Sequence, residues 1–389
     1  HRGPDADGFH FDGPLGFGWH TGYTAHLSIE TSTGNVVVSQ ENGAEVAFTN
    51  SAGTYTAPAR VQATLVRNTD GSYTFTRQTG QTLRFDASGL LLTMVDRNGE
   101  ATALTYNAGK LSQITEPGGR ALTVTFTGSH VTTVTDPLGN SVGYGYDQAG
   151  NLTTVTGPDG AVTTFGYDAA HRITSVLDAE QQGASTKVPV TMVYDAAGRV
   201  STQTDQLGRV TTFAYSGDPF SSAGGTTVVT DPGGHQRADT YQFGLRISTV
   251  RGFGSAAAVT TTVTYDPATL GVTSTTITAA GDPNTHQNTA TYDSQGHATS
   301  QVDALGRRVD TTYNALGQPL TVTGPNPSSV GPSRITTTYT YDARGNLLTK
   351  TQPLYTSATA VTQQTVTYQH GSAAHPGDEV VVRRAVRAR

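Results

Sequence analysis

A phenol followed directly by a carboxylate recurs along this chain. Tyr146-Asp147, Tyr167-Asp168, Tyr194-Asp195, Tyr292-Asp293 and Tyr341-Asp342 are the clearest copies. Such a pair has the residue types of general acid–base chemistry, a proton donor beside a proton acceptor. Its distribution points elsewhere. A Gly stands three residues after the Asp at Gly150, Gly198, Gly296 and Gly345. Tyr313-Asn314 keeps the spacing with Gly317, and after Tyr167-Asp168 the Gly position holds His171. A catalytic pair is a single exception to a pattern, whereas this pair is the pattern.

Other chemistry is sparse. There is no HExxH, no GxSxG elbow and no phosphate-binding P-loop. His20 and His26 lie close in sequence but lack a third ligand at zinc spacing. Asp5-Ala6-Asp7-Gly8 with Asp12 has the alternating carboxylates of a calcium loop, without its closing Glu or flanking helices. Cys is absent, which excludes disulfides and thiolate metal sites. The sequence therefore assigns no catalytic, cofactor-binding or metal-ligating residue. It predicts a protein that is not an enzyme and carries no cofactor.

The elements that position these residues follow from composition and from a second turn signal. Charged residues are 14% of the chain and hydrophobic ones 35%, with 45 Gly and still more Thr. Thr, Val and Tyr favour pleated strands; Gly, Asp and Asn favour turns. About ten residues after a Tyr-Asp pair comes a further turn, as at Asp205 to Gly208 and Asp303 to Gly306. Between turns lie runs of five to seven residues such as Asn151-Leu-Thr-Thr-Val-Thr156 and Arg209-Val-Thr-Thr-Phe-Ala-Tyr215. The reading is strand–turn–strand–turn, an all-β fold of repetitive antiparallel hairpins. Asp opens each turn by accepting backbone N–H groups, and Gly closes it at positive φ. Tyr, at the strand end, is expected to stack on the aromatic of the next unit. About thirteen units amount to on the order of 125 Å of sheet. Strand twist then predicts a coiled wall, because flat sheets of that size are rare.

The net charge of −6 is spread along the chain without a basic stripe, so no nucleic-acid partner is expected. No apolar run is long enough to span a membrane as a helix. The end of the chain, with Arg383, Arg384, Arg387 and Arg389, reads as a truncated or disordered tail.

Tyr-Asp-x-x-Gly-[Asn/Arg]-Leu, then Asp-x-x-Gly-Arg, then Thr-Thr-Phe-x-Tyr resembles the YD repeat of the Rhs family. That family takes in bacterial Rhs polymorphic toxins, Tc toxin B and C components, wall-associated proteins and teneurins. The resemblance covers residues 85–370, and Gly13 to Tyr23, GPLGFGWHTGY, resembles the segment that precedes the repeats in bacterial members. Trp19 is expected there as a buried anchor. The division is then an N-terminal β-rich segment over 1–84, the repeat array over 85–370 and the tail over 371–389.

The resemblance implies a hollow spiral β-shell that encloses a C-terminal toxin. The partners it implies are the remaining shell and the toxin cargo, and the location it implies is secreted or at the bacterial cell surface. The family's self-cleaving Asp-Pro-x-Gly-Leu motif is not matched: Asp136-Pro137-Leu138-Gly139-Asn140 comes nearest and sits in a repeat turn. Self-cleavage and toxicity are therefore not expected of these residues. Two alternatives remain, an adhesion array that binds surface glycans through exposed Thr and Tyr, and an incomplete fragment with no activity of its own.

Overall fold

The computed structural model describes residues 12–58, 61–180, 187–327, 331–355, 357, 361–370 and, for the backbone, 379–388. The described residues contain no α-helix. A two-stranded piece, Asp12–Gly13 with Gly16–Phe17, and a four-stranded sheet from His26–Ile29 to Thr54–Thr56 come first. One continuous antiparallel sheet follows. It begins at Ala63–Arg67 and ends at Glu379–Ala388, and each strand pairs with the next in sequence. No register among the described residues joins the last strand to the first, so the ribbon is open.

Two expectations about boundaries change. Strands Ala63–Arg67, Tyr73–Arg77 and Thr82–Phe85 already belong to the long sheet, so residue 84 lies inside it. Their turns, at Gly71 and Gly80, continue the rhythm without a Tyr-Asp signature to mark it. The Arg-rich tail is not wholly disordered either. Glu379–Ala388 pairs along its length with Val361–His370, as its β-branched residues favour. The side chains of Arg383, Arg384 and Arg387 lie outside the described residues, as do residues 1–11 with the calcium-like Asp5 and Asp7.

Both kinds of turn have one geometry. Asp147 N–H bonds Asn151 O, Gly150 N–H bonds Asp147 O, and Asp147 Oδ1 accepts from Ala149 and Asn151 N–H. Asp136 repeats the set with Asn140, Gly139 and Leu138. Gly150 and Gly139 sit at φ 84° and 89°, which costs a residue with a Cβ but not glycine.

Strand alternation gives the ribbon two unlike faces. Thr312, Thr321, Thr338, Thr351 and Thr365 lie opposite one another in a row on one face. The other face carries Leu104, Ile114, Val124, Val131, Tyr146 and Leu152. The N-terminal strands pack on this apolar face: one cluster joins Leu27, Val36, Val38 and Phe48 to Leu65, Phe75, Phe85 and Leu104. A second joins Leu15 to Ile114, Val124 and Val131.

Two contacts tie the N-terminal segment across the ribbon: Leu27 N–H bonds Gly89 O, and Trp19 Nε1 bonds Tyr167 Oη at 2.9 Å. The segment thus bridges sites seven strand steps apart on the apolar face. Further on, Gln78, which follows strand Tyr73–Arg77, meets His297 at 2.9 Å just past strand His286–Tyr292. Nineteen strand steps separate these strands, ~90 Å of sheet, which bends into a coil ~30 Å across between backbones. The sheet is a spiral whose second coil touches its first.

Candidate functional site: the tyrosine rim

The two edges of the spiral, where the turns lie, differ in register. Every turn preceded by Tyr-Asp, or by Tyr106, Phe126 or Tyr265, is followed by a β-bulge. The turns at Asp136, Asp205 and Asp303 lead into regular ladders. A bulge inserts one unpaired residue and disturbs local ladder bonding. Thr153, the extra residue after Leu152, turns its hydroxyl back to Gly145 O at 3.2 Å; Ser201 does the same to Val193 O.

The tyrosine of the next unit completes the arrangement. Tyr167 Oη donates to Leu152 O at 2.8 Å, the carbonyl just before the bulged residue. Tyr146 donates likewise to Val131 O, Tyr194 to Ile173 O, Tyr215 to Val200 O, Tyr292 to Val272 O, Tyr313 to Ala298 O and Tyr341 to Pro319 O. Burial raises the phenols of Tyr146, Tyr167, Tyr194, Tyr215, Tyr292 and Tyr341; Tyr106 is pushed up to about 12, and Tyr146 further still.

The residue after the turn Gly supplies a second link. Arg199 Nε bonds Asp195 Oδ2 at 2.9 Å, and its guanidinium lies 4.2 Å from the ring centre of the following Tyr215. Arg172 is held by Asp168 and covers Tyr194 in the same way. His297 is held by Asp293 and stacks on Tyr313, with ring centres 4.8 Å apart. Asn151 is held by Asp147 and accepts from His171, while Gln318 reaches Gly345 O. At Tyr194, Tyr215 and Tyr313 the stacking expected from the next unit's aromatic ring is thus made by a polar side chain of the preceding turn. Its length fits the gap between neighbouring turns.

This geometry answers the acid–base question. Tyr146 and Asp147 adjoin in sequence but serve different partners, the phenol a carbonyl and the carboxylate its own turn. The backbone N–H groups of Arg199 and Arg209, and then their guanidinium groups, hold Asp195 and Asp205 below the usual carboxylate range. Gly198, Gly296, Gly317 and Gly345 have φ from 73° to 87°. His171 takes the same conformation at 58°, with its ring stacked on Phe17 and bonded to Asn151. Asp205, Gly208, Asp303 and Gly306 lie on the opposite edge. At the end of the array the tyrosine seat belongs to His370, whose Nε2 bonds Leu347 O.

The N-terminal segment docks onto this rim. His130 bonds Asp12 at 2.8 Å and stacks on Tyr146. Val131 N–H bonds Pro14 O. Trp19 is half-buried rather than fully buried; its indole meets the edge of Phe165 and bonds Tyr167. A cavity of about 620 Å³ remains between segment and sheet, lined chiefly by Leu15, Leu27, Leu91, Ile114 and Val124. No cluster of three or more His, Asp and Glu suited to a metal occurs among the described residues. No helix there is long and apolar enough to cross a membrane.

Hairpins that repeat one register and bond each to the next define a β-repeat protein, quasi-one-dimensional in its cohesion. The family model described as RHS Repeat matches residues 85–121, 127–162, 149–182, 194–218 and 292–329. These stretches carry RHS repeats, the unit of the Rhs, or YD-repeat, family. No curated protein matches it significantly. Among solved structures, TcdB2-TccC3 without its hypervariable C-terminal region is 13% identical over 92% of this chain and 24% of that one, with a TM-score of 0.35. The Tc holotoxin pore of Photorhabdus luminescens is 13% identical over 93% and 25%, with a TM-score of 0.30. A porin-like protein from Bacteroides uniformis is 14% identical over 95% and 98%, with a TM-score of 0.12. The chain spans about a quarter of the length of the Tc toxin chains it aligns with.

Proposed function

We propose that this chain is a wall segment of a larger Rhs-type protein, delivered outside the bacterial cell, and that its task is containment. The concave face would hold a polypeptide cargo away from solvent and proteases. The observation that carries this reading is the contact between Gln78 and His297, which returns the sheet to itself after one coil. A wall that curls into a second coil with its apolar face inward encloses a space; a flat array does not. Hydrogen bonding along the ribbon supports the same role, since unpaired backbone would admit water and proteases. In this reading Tyr, Asp and Gly of each repeat are parts of the wall, and Trp19 fastens the N-terminal segment across one end.

The test fuses an unstructured reporter peptide with a single protease site to the C-terminal end of the chain. Solution scattering should give the distance distribution of a hollow particle, and the reporter should be cut far more slowly than the free peptide. A compact or fully extended particle, together with cleavage at the free rate, would overturn the reading.

A further inference from the structure

The cavity between the N-terminal segment and the sheet is larger than packing leaves by accident. Native interiors hold few voids bigger than a water molecule, and this one measures about 620 Å³. Its floor is the apolar face of six successive strands, from Leu91–Val95 to Ser141–Tyr146. Its roof is the stretch from Leu15 to Leu27. That stretch sets Leu27 in one core cluster and Leu15 in the other and arches between them. The arch holds its own shape: Thr24 N–H and its hydroxyl both donate to Thr21 O, and Thr21 N–H donates to Thr24 Oγ1. The space is therefore preformed, which lowers the ordering cost of filling it.

The chemistry of the walls selects the occupant. Leu91, Leu111, Ile114, Leu122, Val124 and Val134 line it. The backbone beneath them is spent in strand ladders. A peptide laid there would bury N–H and C=O groups against aliphatic carbon, a cost that no partner offsets. A hydrocarbon chain carries no such groups. At one end the exposed residues Ser88, Gly109, Lys110 and Ser129 form a mouth. Lys110 holds its ammonium 5.8 Å from the Phe126 ring centre, donates to Gly128 O, and makes no ion pair among the described residues. The carboxylate on the cavity wall, Asp12, is already held by His130 at 2.8 Å. An apolar chamber thus ends in an uncompensated cation. Lys110 and Ile114 stand four residues apart on one strand, ~13 Å. At ~1.25 Å per carbon of an extended chain, about ten carbons span that length. Ligand pockets of this size bury a small molecule against apolar walls and orient it with a few polar groups.

We propose that this cavity binds a free medium-chain fatty acid, with the acyl chain beneath the Thr21–Thr24 arch and the carboxylate on Lys110. The bound chain joins the two core clusters and so clamps the N-terminal segment to the sheet. The site is closed by this chain's own segment, so it stands whether or not the wall contains a cargo.

Calorimetry of the full chain against saturated fatty acids from hexanoate to hexadecanoate, each below its micelle concentration, tests the proposal. Decanol is the uncharged control, and decanoate carrying 13C at its carboxyl reports the head group by NMR. Affinity should rise about fourfold per methylene and level off near about ten carbons. The bound carboxyl should give a resonance distinct from the free acid. Lys110→Met, an exposed change, should weaken decanoate about tenfold, as loss of a charge-assisted hydrogen bond does, and leave decanol binding unchanged. Leu111→Trp, which fills the cavity from its floor, should abolish both; whatever it does to folding, the paired titrations of Lys110→Met decide the assignment. No binding of any acid overturns the proposal. So does affinity still climbing at hexadecanoate, the mark of adsorption rather than a bounded cavity, or decanoate binding that Lys110→Met leaves unchanged.

Discussion

The two rims of the spiral are built from one turn and behave as different materials. Each has the same Asp, the same positive-φ Gly and the same closing hydrogen bonds. On the plain rim, a Cβ added at Gly99, Gly119, Gly139, Gly208 or Gly306 would meet nothing within 4 Å. On the tyrosine rim, one added at Gly89 would run into the Leu27 backbone, at Gly150 into His130 and Phe17, and at Gly317 into His297, while Gly109 and Gly128 stand open. The difference lies in the strand after the turn, where one extra residue releases a carbonyl and the next Tyr takes it. Cohesion between units is therefore concentrated along one edge. The plain rim is left with exposed turn tips, and Leu138, Leu207 and Leu305 there are 77–87% exposed.

Paired substitutions break this contrast at graded cost. The largest effect is expected from glycine. Gly89→Ala and Gly99→Ala impose the same backbone strain, at φ 94° and 90°, but only the first collides with backbone. Gly99→Ala should cost about 1 kcal/mol and Gly89→Ala about 3 kcal/mol or more. Urea denaturation followed by Trp19 fluorescence measures both.

Alkali should come next and act on one rim. Burial raises the phenols of Tyr106, Tyr146, Tyr167 and Tyr194 on the tyrosine rim, so their contribution is complete below the unfolded value near 10 and is lost as pH climbs through the folded value, about 12 for Tyr106. Absorbance titration should show these tyrosinates appearing together with loss of strand signal. Acid should not discriminate. Turn carboxylates on both rims, Asp195 and Asp205 among them, are held low. Their contribution is present above the unfolded value near 4 and disappears as pH falls through the lower folded values.

A smaller effect separates two neighbouring phenols. Tyr146→Phe leaves Val131 O without its donor and should cost about 1 kcal/mol; Tyr144→Phe loses no hydrogen bond and should cost under about 0.5 kcal/mol. Smallest is the contrast between arginines. Arg199→Ala uncovers Tyr215 and should cost about 0.5–1 kcal/mol, against near zero for the exposed Arg209→Ala pair with Asp205. Thermal melting of the four variants ranks them.

The legible part of this fold was the local part. Asp and Gly announce a turn because the turn is made by their own atoms, so the hairpin rhythm could be read directly. The curl could not, because it shows only in contacts such as that of Gln78 with His297, far apart in the sequence. The role of Tyr was half visible: its position was clear, but its acceptor appears only once the bulge fixes register. One signal was available and overlooked. At six tyrosine-rim turns the residue after the turn is polar: Asn151, Arg172, Arg199, His297, Gln318 and Asn346. A recurrent hydrogen-bonding side chain at one register position implies something for each to hold.

The contact between Gln78 and His297 also bears on how such chains change over generations. Recombination between near-identical repeats adds or removes whole hairpins. Beyond the strands that the N-terminal segment grips, each unit bonds its neighbours along the ribbon, so the array absorbs such a change there without refitting its interior. What does change is the pairing across coils: one hairpin more or less brings a different turn opposite Gln78. The seam between coils, rather than the repeat, is where copy number becomes visible to selection.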